Sequence, residues 1–224
     1  MDPVSRQRKE LWSCRDRRGW EMQHRFAVCW VILTVFCLCA KLGLEAAGIA
    51  LTSSHLEDTY EYLGQVYKSQ RVFTGFPLFD QFCIPLIWVG ALYVIYVGWS
   101  RGKDEALTQE VVMRNGLVTL LFCMAYYGFG ALRAYGFLHI RPSGHFLVYI
   151  TSSYLHYHNA KTALIQLDLK LCAAVMLATL PFVLYCGIWT GLVFHTGLEV
   201  GVGVLTGLGI TYLDHSLSFL LLKP

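Results

Sequence analysis

Six stretches of the 224-residue chain run almost free of charge, at 26–40, 81–100, 115–132, 142–160, 171–198 and 200–222, the last broken only by Asp214. A helix needs roughly 20 mostly apolar residues to cross the hydrocarbon of a bilayer. The pattern therefore predicts an all-α membrane protein, a six-helix transmembrane bundle over 26–224, preceded by a flexible basic tail at 1–25. The first stretch is short unless its helix continues past Lys41 and Glu45, whose spacing of four lets them pair on one face. Pro181 is expected to kink the fifth span, which membrane helices tolerate. Gly197, Gly201, Gly203, Gly207 and Gly209 include two Gly-x-x-x-Gly spacings that admit a neighbouring backbone to the last span. The hydrophilic stretch at about 51–75 and the amphipathic 101–114 read as connectors.

Composition agrees, with 55% hydrophobic and 15% charged residues, too apolar for a soluble domain of this size. Seven of the 18 Lys and Arg residues (Arg6, Arg8, Lys9, Arg15, Arg17, Arg18 and Arg25) precede the first span, which marks the N-terminus as cytosolic rather than as a nucleic-acid site. Six spans return the C-terminus to the cytosol and leave thirteen cations on that side against five on the other. A cleaved signal peptide within 1–50, ending near Ala46, Ala47 and Gly48, is the competing reading; it would leave an odd number of spans. Seven of the eight cysteines lie in apolar stretches and no Cys-x-x-Cys pair exists, which argues against structural disulfides and a zinc site.

Two histidines stand out once topology is added. His145 opens the fourth span in "RPSGH" and His195 closes the fifth in "FHTGLE", so both fall on the non-cytosolic face. Ionisable groups at membrane depth are costly unless they line a wet cavity or have partners. Ser143 is a good N-cap, Gly144 permits close backbone approach, and the amides opening the fourth span, with Arg141 beside them, suit a phosphate group. Glu199 follows His195 by four residues, where its carboxylate can accept the imidazole N–H and fix the tautomer of a base or nucleophile. These are the parts of a phosphoryl-transfer site.

"PSGH" followed about 50 residues later by "HTGLE" resembles the second and third motifs of the type 2 phosphatidic acid phosphatases. The resemblance implies that His195 is the nucleophile, Glu199 orients it, His145 protonates the leaving oxygen, and Ser143 and Gly144 bind phosphate. The superfamily's upstream Lys and Arg-Pro motif has no counterpart here, and Trp189 stands where the third motif has Arg. Over about 76–215 the chain more closely resembles a divergent relative, the fat storage-inducing transmembrane family, chiefly at "SGHFLVY" and "VFHTGLEVGVGVLTGLGITYL". That resemblance implies a cofactor-free acyl-CoA diphosphatase of the endoplasmic reticulum. Its lumenal site would hydrolyse fatty acyl-CoA to acyl 4′-phosphopantetheine and adenosine 3′,5′-bisphosphate and support lipid-droplet formation and membrane homeostasis. Arg141, with Arg133 as a second candidate, would supply part of the missing phosphate-binding charge.

Two other classes compete. A non-catalytic protein could bind and partition triacylglycerol or diacylglycerol, its histidines merely hydrogen-bonding. A small transporter or channel would draw on embedded polar groups such as Asp80, Asp214 and His215, but predicts an internal symmetry that the sequence lacks. His156 and His158, about 200° apart on a helix, make a poor metal pair and are expected at the cytosolic end of the fourth span.

Overall fold

The computed structural model describes residues 3–47, 52–54, 59–62, 65–67, 79–102, 105–135 and 143–221. Among these, six α-helices run in order: α1 (Pro3–Ala46), α2 (Phe79–Ser100), α3 (Glu105–Ala134), α4 (Gly144–Leu167), α5 (Lys170–Trp189) and α6 (Gly197–Leu221). A π-helical turn at Thr190–Phe194 follows α5. Three short strands, β1 (Thr52–Ser54), β2 (Thr59–Tyr62) and β3 (Gln65–Tyr67), form an antiparallel sheet in that order, with β1 against the π turn. The hydrophilic stretch expected as a plain connector thus carries a small sheet.

Among the described residues, three helical segments are long and apolar enough to cross a membrane: Gly19–Leu44, Leu107–Leu132 and Lys170–Leu192. Ile84–Ser100 on α2 is a shorter apolar helix. Hydrophobic side chains crowd the outer faces, among them Ile32 and Phe36 on α1, Val89 and Tyr96 on α2, Leu120 and Met124 on α3, Leu171 and Val175 on α5, and Leu205 on α6. Polar side chains are turned inward, including Gln23, Asn115, Ser152, Asn159, Thr211 and Asp214. Apolar surface outside and hydrogen-bonding groups inside is the arrangement that hydrocarbon surroundings favour.

Helix α4 sits at the centre and packs on α5, α2, α6 and α3, while α1 lies along α6 and the π turn. One cluster gathers Phe146, Tyr149, Ile150 and Tyr154 of α4 with Trp30, Val118, Val183, Val200 and Val204; a second joins Ala160, Ala163 and Leu167 to Ala91, Val94 and Val111. The helix is capped at both ends. Ser143 is the N-cap, its Oγ accepting from the Phe146 amide at 3.4 Å, and Asp168 ends the helix at φ 50°, ψ 38°, with the Leu169 amide returning to the Ala163 carbonyl at 2.8 Å.

Several boundaries depart from expectation. The basic segment continues α1 rather than forming a flexible tail, because Arg, Gln, Lys, Glu and Leu make up most of 6–18 with no Gly or Pro among them, and Pro3 occupies the first turn, where proline is tolerated. Helix α1 also passes Lys41, as a full span requires. The expected connector 101–114 is largely the start of α3, and α4 runs on beyond the apolar stretch 142–160 to Leu167. His156 and His158 consequently lie buried inside α4 rather than at its end.

The inward polar groups pair across helices. Asn115 and Asn159 exchange two amide bonds at 3.0 and 3.1 Å. Asp214 accepts from Tyr154 Oη at 2.8 Å and from Ser218 at 3.2 Å, and lies 3.4 Å from Arg114, which also meets Glu110 at 3.4 Å. Removing one member of a buried ionic group strands the others. Asp214→Ala should therefore destabilise the protein by about 3 kcal/mol, read as a lowered apparent unfolding midpoint in detergent. Arg114→Met with Asp214→Leu should recover much of the loss; an unchanged midpoint in Asp214→Ala would contradict this role.

Candidate active site

The fifth apolar stretch ends at His195 as expected, but its last turn before the junction with α6 is π-helical rather than α-helical. After the π turn the chain breaks helical form at His195 and Thr196 and restarts at Gly197. "TGLE" has the form of a capping box, and both reciprocal bonds are present: the Thr196 amide donates to Glu199 Oε2 at 2.9 Å, and the Glu199 amide to Thr196 Oγ1 at 3.4 Å. That restart fixes His195 at the end of the bundle. Such π-helical turns recur at functional sites.

His145, in the first turn of α4, meets His195 there, His145 Nδ1 and His195 Nε2 standing 3.2 Å apart. On the far side of the ring, His195 Nδ1 lies 3.5 Å from Glu199 Oε2. The two imidazoles and the carboxylate form a continuous line, with His195 6% exposed and His145 partly exposed. A carboxylate facing Nδ1 favours the tautomer that leaves the Nε2 lone pair toward His145 and the opening.

Two backbone contacts hold this line. The Ser143 amide donates to the Glu199 carbonyl at 2.9 Å, tying the start of α4 to the first turn of α6. Gly203 lets that contact form: a Cβ there would stand 2.6 Å from the Ser143 carbonyl oxygen. One turn on, Gly207 sits against Ile150, whereas Gly201 and Gly209 face open space, so one of the two Gly-x-x-x-Gly pairs makes the close helix contact.

The structure brings His145, His195 and Glu199 together, with Ser143 beside them. Ser143 is fully buried and its hydroxyl serves the cap, while the Tyr126 ring packs over Gly144, where a Cβ would come within 2.7 Å of it. Arg141 lies outside the described residues, as does the side chain of Arg133; α3 ends at Ala134. The side chain of Asp80 is likewise undescribed, and Asp214 and His215 belong to the opposite end.

Two neighbours of the site escaped the sequence reading. Lys41 donates to the His195 carbonyl at 2.8 Å and brings a cation from α1 to the junction. A lone lysine at the end of an apolar run was the only signal, and it was matched with Glu45 instead. Tyr126 had no signal beyond lying on an apolar helix. Comparison with protein-family models, curated proteins and solved structures gave no match.

Gly203→Ala should lower stability by about 1–3 kcal/mol by forcing α4 and α6 apart. Gly209→Ala, in open helix, should be neutral or stabilising by up to about 1 kcal/mol. Unfolding midpoints of the two variants in the same detergent give the comparison; equal effects would contradict the close α4–α6 contact.

Proposed function

We propose that the chain is a six-span enzyme of the endoplasmic reticulum membrane with both termini cytosolic. Its lumenal site hydrolyses the phosphoanhydride of fatty acyl-CoA to acyl 4′-phosphopantetheine and adenosine 3′,5′-bisphosphate, supporting lipid-droplet formation and membrane homeostasis. The observation that carries the reading is the contact of His145 and His195 at 3.2 Å, with Glu199 behind His195. Residues 50 apart in sequence supply a nucleophile, a proton donor and an orienting carboxylate in one line. The basic N-terminal segment supports the cytosolic N-terminus.

In this reading Nε2 of His195 attacks one phosphorus of the pyrophosphate. The P–O bond to the bridging oxygen breaks, His145 delivers a proton to the departing phosphate monoester, and His195 is left joined through phosphorus to the other, still esterified half. Water, deprotonated by the same His145, then attacks the phosphohistidine, breaks its P–N bond and restores both rings. His145 must swing off His195 to admit the phosphoryl group. Lys41, near His195, would add positive potential where the superfamily's upstream cations are absent.

A second reading, a non-catalytic binder of diacylglycerol or triacylglycerol, draws on the engagement of Ser143 in the helix cap and Glu199 in the capping box. There the histidines only close the end of the bundle.

Hydrolysis of oleoyl-CoA by purified protein, with products resolved by mass spectrometry, separates the two. The enzyme reading predicts release of adenosine 3′,5′-bisphosphate, abolished in His195→Ala and His145→Ala and lowered about 10²-fold or more in Glu199→Gln. Equal, negligible release from all four proteins would favour the lipid-binding reading.

A further inference from the structure

At the end of the bundle away from the histidine pair, a cavity of about 470 Å³ lies between α1 and α4. Its position is fixed by contacts beside it. Gln23 donates to Thr211 at 2.6 Å, His24 Nδ1 lies 2.8 Å from Tyr212 Oη, and Trp20 meets the edge of His215, so this part of α1 is fastened to α6. Tyr154, on the opposite wall, is held by its bond to Asp214. The cavity is therefore pre-formed, as ligand sites usually are.

Its lining divides by chemistry. Glu21 and Arg25, exposed and one helical turn apart on α1, present opposite charges. Phe26 and Tyr154 come together with ring centroids 5.8 Å apart, and Tyr157 adds a third aromatic ring. Met22 and Cys29 complete an apolar portion. Aromatic faces beside a carboxylate attract an organic ammonium, and a guanidinium suits a phosphate. The ionic lining sums to zero, which fits a zwitterion better than an anion. From the cavity, the outer face of α1 continues as exposed Val28, Val31, Ile32 and Val35, a path for acyl chains.

We propose that this cavity holds the headgroup of a zwitterionic phospholipid. Arg25 meets the phosphate, Glu21 with the Phe26, Tyr154 and Tyr157 rings surrounds the ammonium, and the acyl chains lie along α1. The site shares no residue with the histidine line, so it stands whether or not the chain is an enzyme.

Native mass spectrometry of the full chain in maltoside detergent, given equal amounts of dioleoyl phosphatidylcholine and dioleoyl phosphatidylglycerol, tests it. Wild type should retain phosphatidylcholine over phosphatidylglycerol by about tenfold; Arg25→Gln should weaken phosphatidylcholine retention by about tenfold, the effect of losing one charged hydrogen bond, and Glu21→Gln by about threefold, the effect of losing one exposed charge–charge attraction to the quaternary ammonium. Excess glycerophosphocholine should leave the bound lipid in place. Equal retention of the two lipids by wild type, or retention of phosphatidylcholine unchanged in both variants, would overturn the proposal. Full displacement by glycerophosphocholine would also overturn it, by making a free headgroup the occupant.

Discussion

Helix α4 carries Ser, Thr, His, Asn and Tyr side chains along most of its length, and almost all of them are buried. Hydrocarbon offers such groups no hydrogen bonds, so a helix of this kind has to be enclosed by others that are apolar outside. The rest of the bundle meets that demand. Helices α2, α3, α5 and α6 wrap α4 and turn their large hydrophobic residues outward; Asn115 answers Asn159 and Asp214 answers Tyr154, while Thr151 and Ser153 bond back to carbonyls of α4 itself. Where α4 is closely approached, the neighbour is glycine, at Gly203 and Gly207.

The candidate site follows from how that central helix begins. Ser143 caps α4 and its amide reaches the first turn of α6, so the start of one helix is tied to the start of the other. Helix starts leave amides to be satisfied, and here the caps are Ser143 and the Thr196–Glu199 box. His145 sits just inside the first cap and His195 immediately before the second, which sets their separation. Glu199 serves both purposes: one oxygen accepts from the Thr196 amide and faces the His195 ring, so the group that starts α6 also orients the imidazole.

Much of this was legible in the sequence. The apolar runs located all five helices α2 to α6 and fixed both ends of α2 and α6 closely, though α3 starts earlier, α4 ends later and α5 ends earlier than its run; the "PSGH" and "HTGLE" motifs identified the histidines, the carboxylate and the serine cap, because each motif is a local signal tied to a helix end. Less local features were not legible. The basic segment read as a tail because charge excludes it from a membrane, yet charge does not prevent helix, and α1 runs through it. His156 and His158 were placed at the end of a span because hydropathy falls there; in the bundle that fall marks the enclosed face of α4. Lys41 reaches His195 across 154 positions, a contact that no spacing rule within one helix can reveal.

In the proposed chemistry everything turns on whether His195 Nε2 takes a phosphoryl group or merely holds a hydrogen bond to His145. Trapping the intermediate decides this most directly. Wild-type protein turning over oleoyl-CoA, quenched at alkaline pH where the N–P bond survives and then mapped by mass spectrometry, should carry on His195 one esterified half of the pyrophosphate, either the 3′-phosphoadenosine 5′-phosphoryl or the pantetheine phosphoryl group, and no such adduct when His195 is Ala. Turnover at full rate with His195 unmodified, or an unchanged rate in His195→Ala, would contradict the account.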